Sequence, residues 1–306
     1  MNNRNEIQNT FDPNRDVLFI GNGINNLRKN NNWAKLVQGL QQVTQSPNPP
    51  KDLKSNFPLV YENYLWWGLN NRSIQSEKDL KTLIKNFLQN IKVNSIHKRI
   101  FSLKPKHIIT SNYDFVLEQT NTPVNASIIK ETRYSVFRKY SGRIQNVWHV
   151  HGDCHITSTI TLGYEQYSGQ LQALRNYVAT GTNYASKNVP PQDLIQRLKN
   201  NAVNYDSWVD FFFKNDIHII GLRLDFIEID LWWLLTYWAR QRRRNGDIIS
   251  NRIIYYIPEK HAKKAMGKID LLRNLGVEVI ISKRSYYNYY HALFDYFQGK
   301  ISKAAI

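Results

Sequence analysis

Six short runs of apolar and β-branched residues punctuate an otherwise polar chain: 16–20 (DVLFI), 107–111 (HIITS), 146–150 (NVWHV), 216–220 (DIHII), 252–257 (RIIYYI) and 277–281 (VEVII). Their apolar character is continuous rather than alternating, the pattern of strands covered on both faces in a parallel sheet. Helical spacing fills the gaps. Ser76 is placed to cap a helix over Glu77–Ile91, whose Leu80, Leu83, Ile84, Phe87, Leu88 and Ile91 share one face. Residues 260–275 put Ala262, Ala265, Met266, Ile269 and Leu272 on one face, with Gly276 as a stop. Asp225–Arg244 predicts a third helix, apolar at its start and basic at its end. Strands alternating with helices predict an α/β fold: a doubly wound, mostly parallel, six-stranded Rossmann-like sheet.

Two stretches break the rhythm. Gln45–Pro58 holds four prolines and leads into an aromatic stretch, Tyr61–Trp67. Further on come an extra strand at Thr159–Leu162, a helix near 165–178 and a Gly/Asn/Pro-rich loop at 181–191. The expected organisation is a loose Asn-rich tail at 1–15 and one domain at 16–300. Helical insertions at about 45–100 and 163–215 cap its sheet.

Composition narrows the class. At 306 residues, 42% hydrophobic and 21% charged, the chain is neither a disordered polymer nor a rod. One cysteine excludes a disulfide framework and a cysteine-built zinc site. No run approaches the ~18 apolar residues of a membrane span, and the polar start MNNRNEIQNTFDPNRD has no secretory h-region. A soluble, cytoplasmic protein without membrane contact is the expectation. The net charge of +17 draws in phosphates, whether of a nucleotide or a nucleic acid, and suits an acidic protein equally.

Four motifs at predicted strand ends carry candidate chemistry. Gly21-Asn22-Gly23-Ile24-Asn25 follows the first strand, where glycines let a backbone approach a pyrophosphate at a helix start. The third glycine of the dehydrogenase fingerprint is replaced by Asn26, and a tight turn without ligand explains the motif equally well. In Thr110-Ser111-Asn112-Tyr113-Asp114, Asn112 and Asp114 are spaced to reach one pocket, while a helix cap accounts for Asp114 as readily. In Trp148-His149-Val150-His151-Gly152-Asp153, strand alternation sends both histidines to one face, one as a base and the other structural. A metal lacks a third ligand at suitable spacing, and Cys154 reads as packing rather than as a nucleophile. Gly221-Leu222-Arg223-Leu224-Asp225 closes the strand at 216–220, with Glu228 and Asp230 in the helix behind.

In this order the four motifs resemble those of sirtuin-like proteins, especially the bacterial sirtuin-like NAD hydrolases of phage defence, over roughly residues 16–282. The resemblance implies NAD as substrate and no metal. Asn112 would hold a water beside the nicotinamide ribose, His151 would be the general base, and Asp114 the acidic residue behind the asparagine. Gly21, Asn22, Gly23, Ile24 and Asn25 would cradle phosphate, with Thr110, Gly152, Gly221, Leu222 and Leu224 around the rest of the dinucleotide. It further implies a homo-oligomer and a triggering partner, such as an ATPase or a nucleic-acid-binding sensor. The chain lacks the four-cysteine zinc module and the Pro-Asp-Phe-Arg stretch of deacylating sirtuins, and Arg223 replaces a common Ser.

Those residue types suit NAD cleavage. Nicotinamide leaves neutral from a cationic ring, so no general acid is needed, and an oxocarbenium-like carbon remains for water to capture. A carboxamide orients that water without adding charge, and a histidine takes its proton near neutral pH. Competing readings are a non-catalytic NAD or ADP-ribose sensor, a zinc-free deacylase, and a nucleic-acid binder using Arg240-Gln241-Arg242-Arg243-Arg244. That basic run also fits a solvated helix end.

Overall fold

In the computed structural model, which describes residues 10–27, 33–53, 56–120, 122–129, 133–181 and 192–306, all six apolar runs become neighbouring parallel strands. They are β1 (Asp16–Ile20), β2 (His107–Thr110), β5 (Asn146–His149), β6 (Asp216–Ile220), β7 (Ile253–Pro258) and β8 (Glu278–Ser282). Two short strands, β3 (Val124–Asn125) and β4 (Lys139–Ser141), add an antiparallel edge, so the sheet has eight strands rather than six, in the order β3-β4-β5-β2-β1-β6-β7-β8.

Alternation along the buried strands feeds two cores. Val17, Phe19, Ile109, Trp148, Ile217 and Tyr255 face one side with α7 (Trp208–Lys214), α8 (Ile229–Arg244) and α10 (Met266–Asn274). Leu18, Ile20, Ile108, Val147, Ile220 and Ile254 face the other with α4 (Ser95–Ser102) and α11 (Tyr286–Phe297). A third apolar cluster joins α1 (Trp33–Thr44), α2 (Phe57–Asn70) and α3 (Glu77–Leu88) to Tyr113 and Cys154, the residues just beyond the β2 and β5 ends. The first insertion thus roofs the carboxyl edge of the sheet. Glu77 binds the roof together: its Oε1 accepts from Tyr61 Oη at 2.7 Å and from Gln166 Nε2 at 3.1 Å, and lies 3.2 Å from Lys81 Nζ. Gln166 belongs to α5 (Tyr164–Arg175), part of the second insertion, where α6 (Leu194–Lys199) also lies.

Four sequence expectations differ in detail. Of the tail expected at 1–15, residues 1–9 lie outside the described residues. From Thr10 the chain is docked, with Phe11 buried and the Thr10 hydroxyl donating to Tyr296 O at 2.7 Å. Thr159–Leu162 is not a strand. It follows a 3-10 turn, and its backbone bonds to loop groups instead: Thr161 N donates to His151 O, and Tyr113 Oη to Thr161 O. The helix expected over 260–275 splits into α9 (Glu259–Ala262) and α10, leaving Met266 exposed. Finally, α8 begins at Ile229, not Asp225, because the Asp225 N–H is taken by Glu228 Oε2 at 2.8 Å in a turn.

Candidate active site at the carboxyl edge

Register brings the four motifs to one edge. Ile20 lies opposite Thr110 and Ile220, and Thr110 opposite His149. The ladder runs one residue further: Gly21 N donates to Ile220 O, Ser111 N to Ile20 O, and Val150 N to Thr110 O. Asn112 and His151 therefore each lie two residues past a paired position on adjacent parallel strands. Such a carboxyl edge is where ligands enter doubly wound sheets.

The local devices that shape this edge are mostly structural. Thr110 Oγ1 donates to Ile20 O at 2.8 Å and accepts from Asn112 N at 3.0 Å, so this side chain sets the turn. Gly21 is needed because a Cβ there would come within 2.5 Å of Leu222 Cα, and one on Gly23 within 2.7 Å of Gly221 O. The amides of Gly21 and Gly23 already donate to Ile220 O and Gly221 O. These two glycines serve close packing between two loops. The segment beyond them is a short 3-10 helix, Asn22–Leu27, held by Asn94 Nδ2 on Ile24 O and by Tyr286 Oη on Gly23 O. Gly152 has φ +93°, and its backbone faces Thr159 so closely that a Cβ would clash at 2.1 Å. The loop at Gly221 (φ +68°), Leu222 and Leu224 is pinned by Tyr255 Oη on Leu222 O and by Lys268 Nζ on Arg223 O and Leu224 O.

Asn112 differs from all of these. It is 4% exposed, and among the described residues neither its Oδ1 nor its Nδ2 has a hydrogen-bond partner. Asp114 beside it is fully occupied: Oδ1 accepts from Val116 N at 3.1 Å, and Oδ2 from Asn25 Nδ2 at 3.0 Å. It both caps the following turn and anchors the first loop, where Asn25 Nδ2 also reaches Asn22 Oδ1 at 2.9 Å. Burial pushes its carboxyl up, and the bonds from Val116 and Asn25 offset part of that.

The two histidines part company, because β5 ends at His149 and the alternation ends with it. His149 Nδ1 lies 2.8 Å from Asn112 O and its Nε2 2.7 Å from Glu118 Oε1. His151 Nε2 lies 2.9 Å from Asp230 Oδ2, on the first turn of α8. Burial opposes the charged form of His151, but the charge and bond of Asp230, with Glu228 adding, raise its pKa above the usual 6.5. Burial carries Glu228 up to about 7, against the opposing charge of His151. Cys154 is buried and its thiol pushed up to about 12, chiefly by burial, so it offers no thiolate near neutral pH. Among the described residues no group of three or more His, Cys, Asp or Glu is placed to hold a metal, and no helix among them is long and apolar enough to cross a membrane.

No family model matches the chain. Over 107 residues, 33% of its length, it is 28% identical to defense-associated sirtuin 2 of Bacillus subtilis. The chain resembles a defence sirtuin. The matched stretch spans 10% of that much longer protein, so what the whole relative does is not carried across by the match alone. The motifs and this distant similarity agree in likening the chain to a sirtuin of that kind.

Sequence reading assigned no role to Asp230, Glu228, Glu118 or Tyr167, although all four meet the histidines or their partners. Three acids within six positions, Asp225, Glu228 and Asp230, at a strand's carboxyl end were the available signal for two of them.

Proposed function

We propose that this chain is an NAD glycohydrolase that cleaves the nicotinamide–ribose bond to give nicotinamide and ADP-ribose, depleting NAD as a defence against phage. The observation that carries the proposal is the orphaned carboxamide of Asn112. Leaving a polar group buried without a partner costs about 1–3 kcal/mol, and at the ligand-entry edge of the sheet a bound substrate and its water are the partners that would offset that cost. An amide presents one acceptor and two donors at a single point, which fits a water beside the ribose together with a sugar hydroxyl or the nicotinamide amide.

In this scheme Asn112 orients the water and His151 takes its proton. The water oxygen bonds to C1′ as the C1′–N bond breaks. That bond's electron pair neutralises the pyridinium, so the leaving group requires no acid. Asp114 steadies the first loop through Asn25 rather than touching the reacting atoms. With the Gly21 and Gly23 amides engaged, the pyrophosphate has to rely on other donors and on the positive field of the chain. A homo-oligomer and a sensing partner that holds the hydrolase in check belong to the same proposal.

The test is nicotinamide release from NAD by the purified chain, alone and with lysate of phage-infected cells. Release, together with ADP-ribose in equal amount, is expected. Stoichiometric NAD binding without any release would replace this reading with that of a sensor.

A further inference from the structure

We propose that Asp230 is a positioning residue that holds the Nε2 proton of His151 on its carboxylate, making Nδ1 the nitrogen that accepts the proton from water. The inference deepens the hydrolase reading and rests on His151 as its base.

The bond is built for this. Nε2 and Oδ2 lie 2.9 Å apart, with the two side chains 2% and 0% exposed. A carboxylate only accepts, and a neutral imidazole has one N–H, so the pairing fixes the tautomer. Asp230 occupies the first turn of α8, where the helix dipole favours negative charge. Its second oxygen, Oδ1, is buried with no hydrogen-bond partner among the described residues. A buried pair adds little to stability compared with an apolar one, so its advantage here lies in steering an imidazole that must become positive.

The surroundings agree. Glu228 faces the imidazole from the same helix start, and Tyr167 of α5 meets it edge-on at 5.5 Å. Tyr113, Asp225, Tyr255 and the cation Lys268 also act on this cluster, the last two through Glu228. Burial pushes both tyrosine hydroxyls up, so Tyr113 and Tyr167 stay neutral near pH 7. As the water oxygen bonds to C1′ and nicotinamide departs with the bonding pair, the water proton passes to Nδ1. The resulting imidazolium keeps its Nε2–H on Asp230.

The experiment is ¹⁵N NMR of the full chain labelled at histidine, with His151 assigned by a His151→Gln variant, followed against pH in the wild type and in Asp230→Asn. The wild type is expected to show the Nε2–H tautomer and a midpoint above 6.5. Asp230→Asn is expected to lower the midpoint and lose the tautomer preference, while nicotinamide release falls ~10²–10⁴-fold. An Nδ1–H tautomer in the wild type, or a midpoint that Asp230→Asn leaves in place, overturns the proposal. If Asp230→Asn does not fold, the wild-type tautomer alone decides. If the wild type releases no nicotinamide under any condition, the hydrolase reading fails, whereas the spectra still judge the pairing.

Discussion

His149 donates its Nδ1 proton to the backbone carbonyl of Asn112 across 2.8 Å, while its Nε2 lies 2.7 Å from Glu118 Oε1. A carbonyl can only accept, so Nδ1 carries a proton. Burial opposes the imidazolium, but the charge and bond of Glu118, with Asp153 and the Asn112 carbonyl, raise its pKa. In its charged form the side chain donates to both the Asn112 carbonyl and Glu118. The histidine beside the candidate base thus fixes the backbone of the candidate carboxamide.

His149→Ala should therefore be more damaging than an ordinary core truncation. It strands Glu118, 0% exposed, without its ion-pair partner. The expected loss of stability is about 3–5 kcal/mol, measured by urea unfolding. Nicotinamide release should fall with it, because the Asn112 backbone loses its tether.

Stability should decline as pH rises above 6.5. His149 and His151 both have raised folded pKa values, so their contribution is whole below the unfolded value of 6.5 and is lost as pH climbs through the folded values. Glu228, raised to about 7, acts in the same direction up to that pH. Unfolding free energies from urea titrations between pH 6.5 and about pH 8 should fall, by up to about 1.4 kcal/mol per pH unit for each histidine. The fall should be shallower in His149→Ala.

Asn112→Ala should separate activity from folding. The substitution removes two buried polar atoms that have no partner among the described residues, so stability should hold or rise, by up to about 1–3 kcal/mol. Nicotinamide release should vanish, as it should in His151→Ala. A variant that still turns over NAD at the wild-type rate would remove Asn112 from the mechanism.

Two glycines should respond oppositely to alanine. Gly21→Ala forces a Cβ to within 2.5 Å of Leu222 Cα, a backbone atom with no easy retreat, and should unfold the chain at a lower temperature. Gly267, near the start of α10, has nothing within 4 Å of the added methyl. There alanine should stabilise by about 0.5–1 kcal/mol through helix propensity. Calorimetry on both variants checks the contrast.

The parallel strands were legible because burial on both faces writes itself as uninterrupted apolar runs. β3 and β4 were not. Val124 and Asn125 are both exposed, and Lys139–Ser141 is too short and polar to stand out. The break between α9 and α10 also escaped the periodicity, since Ala265 and Met266 continue the apolar spacing although Met266 faces solvent. At the edge of the sheet, residue types singled out Asn112 and His151, but not what holds them. Asp230 lies 79 positions from His151 and Glu118 lies 31 from His149, separations at which only the fold can reveal a hydrogen bond. The glycines were open to two readings, a loop that lets phosphate approach and a tight turn; at Gly21 and Gly23 the packing of one loop on another leaves room for nothing larger than hydrogen.

A single carboxylate oxygen on Glu77 ties α2, α3 and α5, so the two inserted segments are fastened to each other at this point. Drawing either segment away from the other then breaks the bond that Gln166 makes to this oxygen, so the two are mechanically coupled.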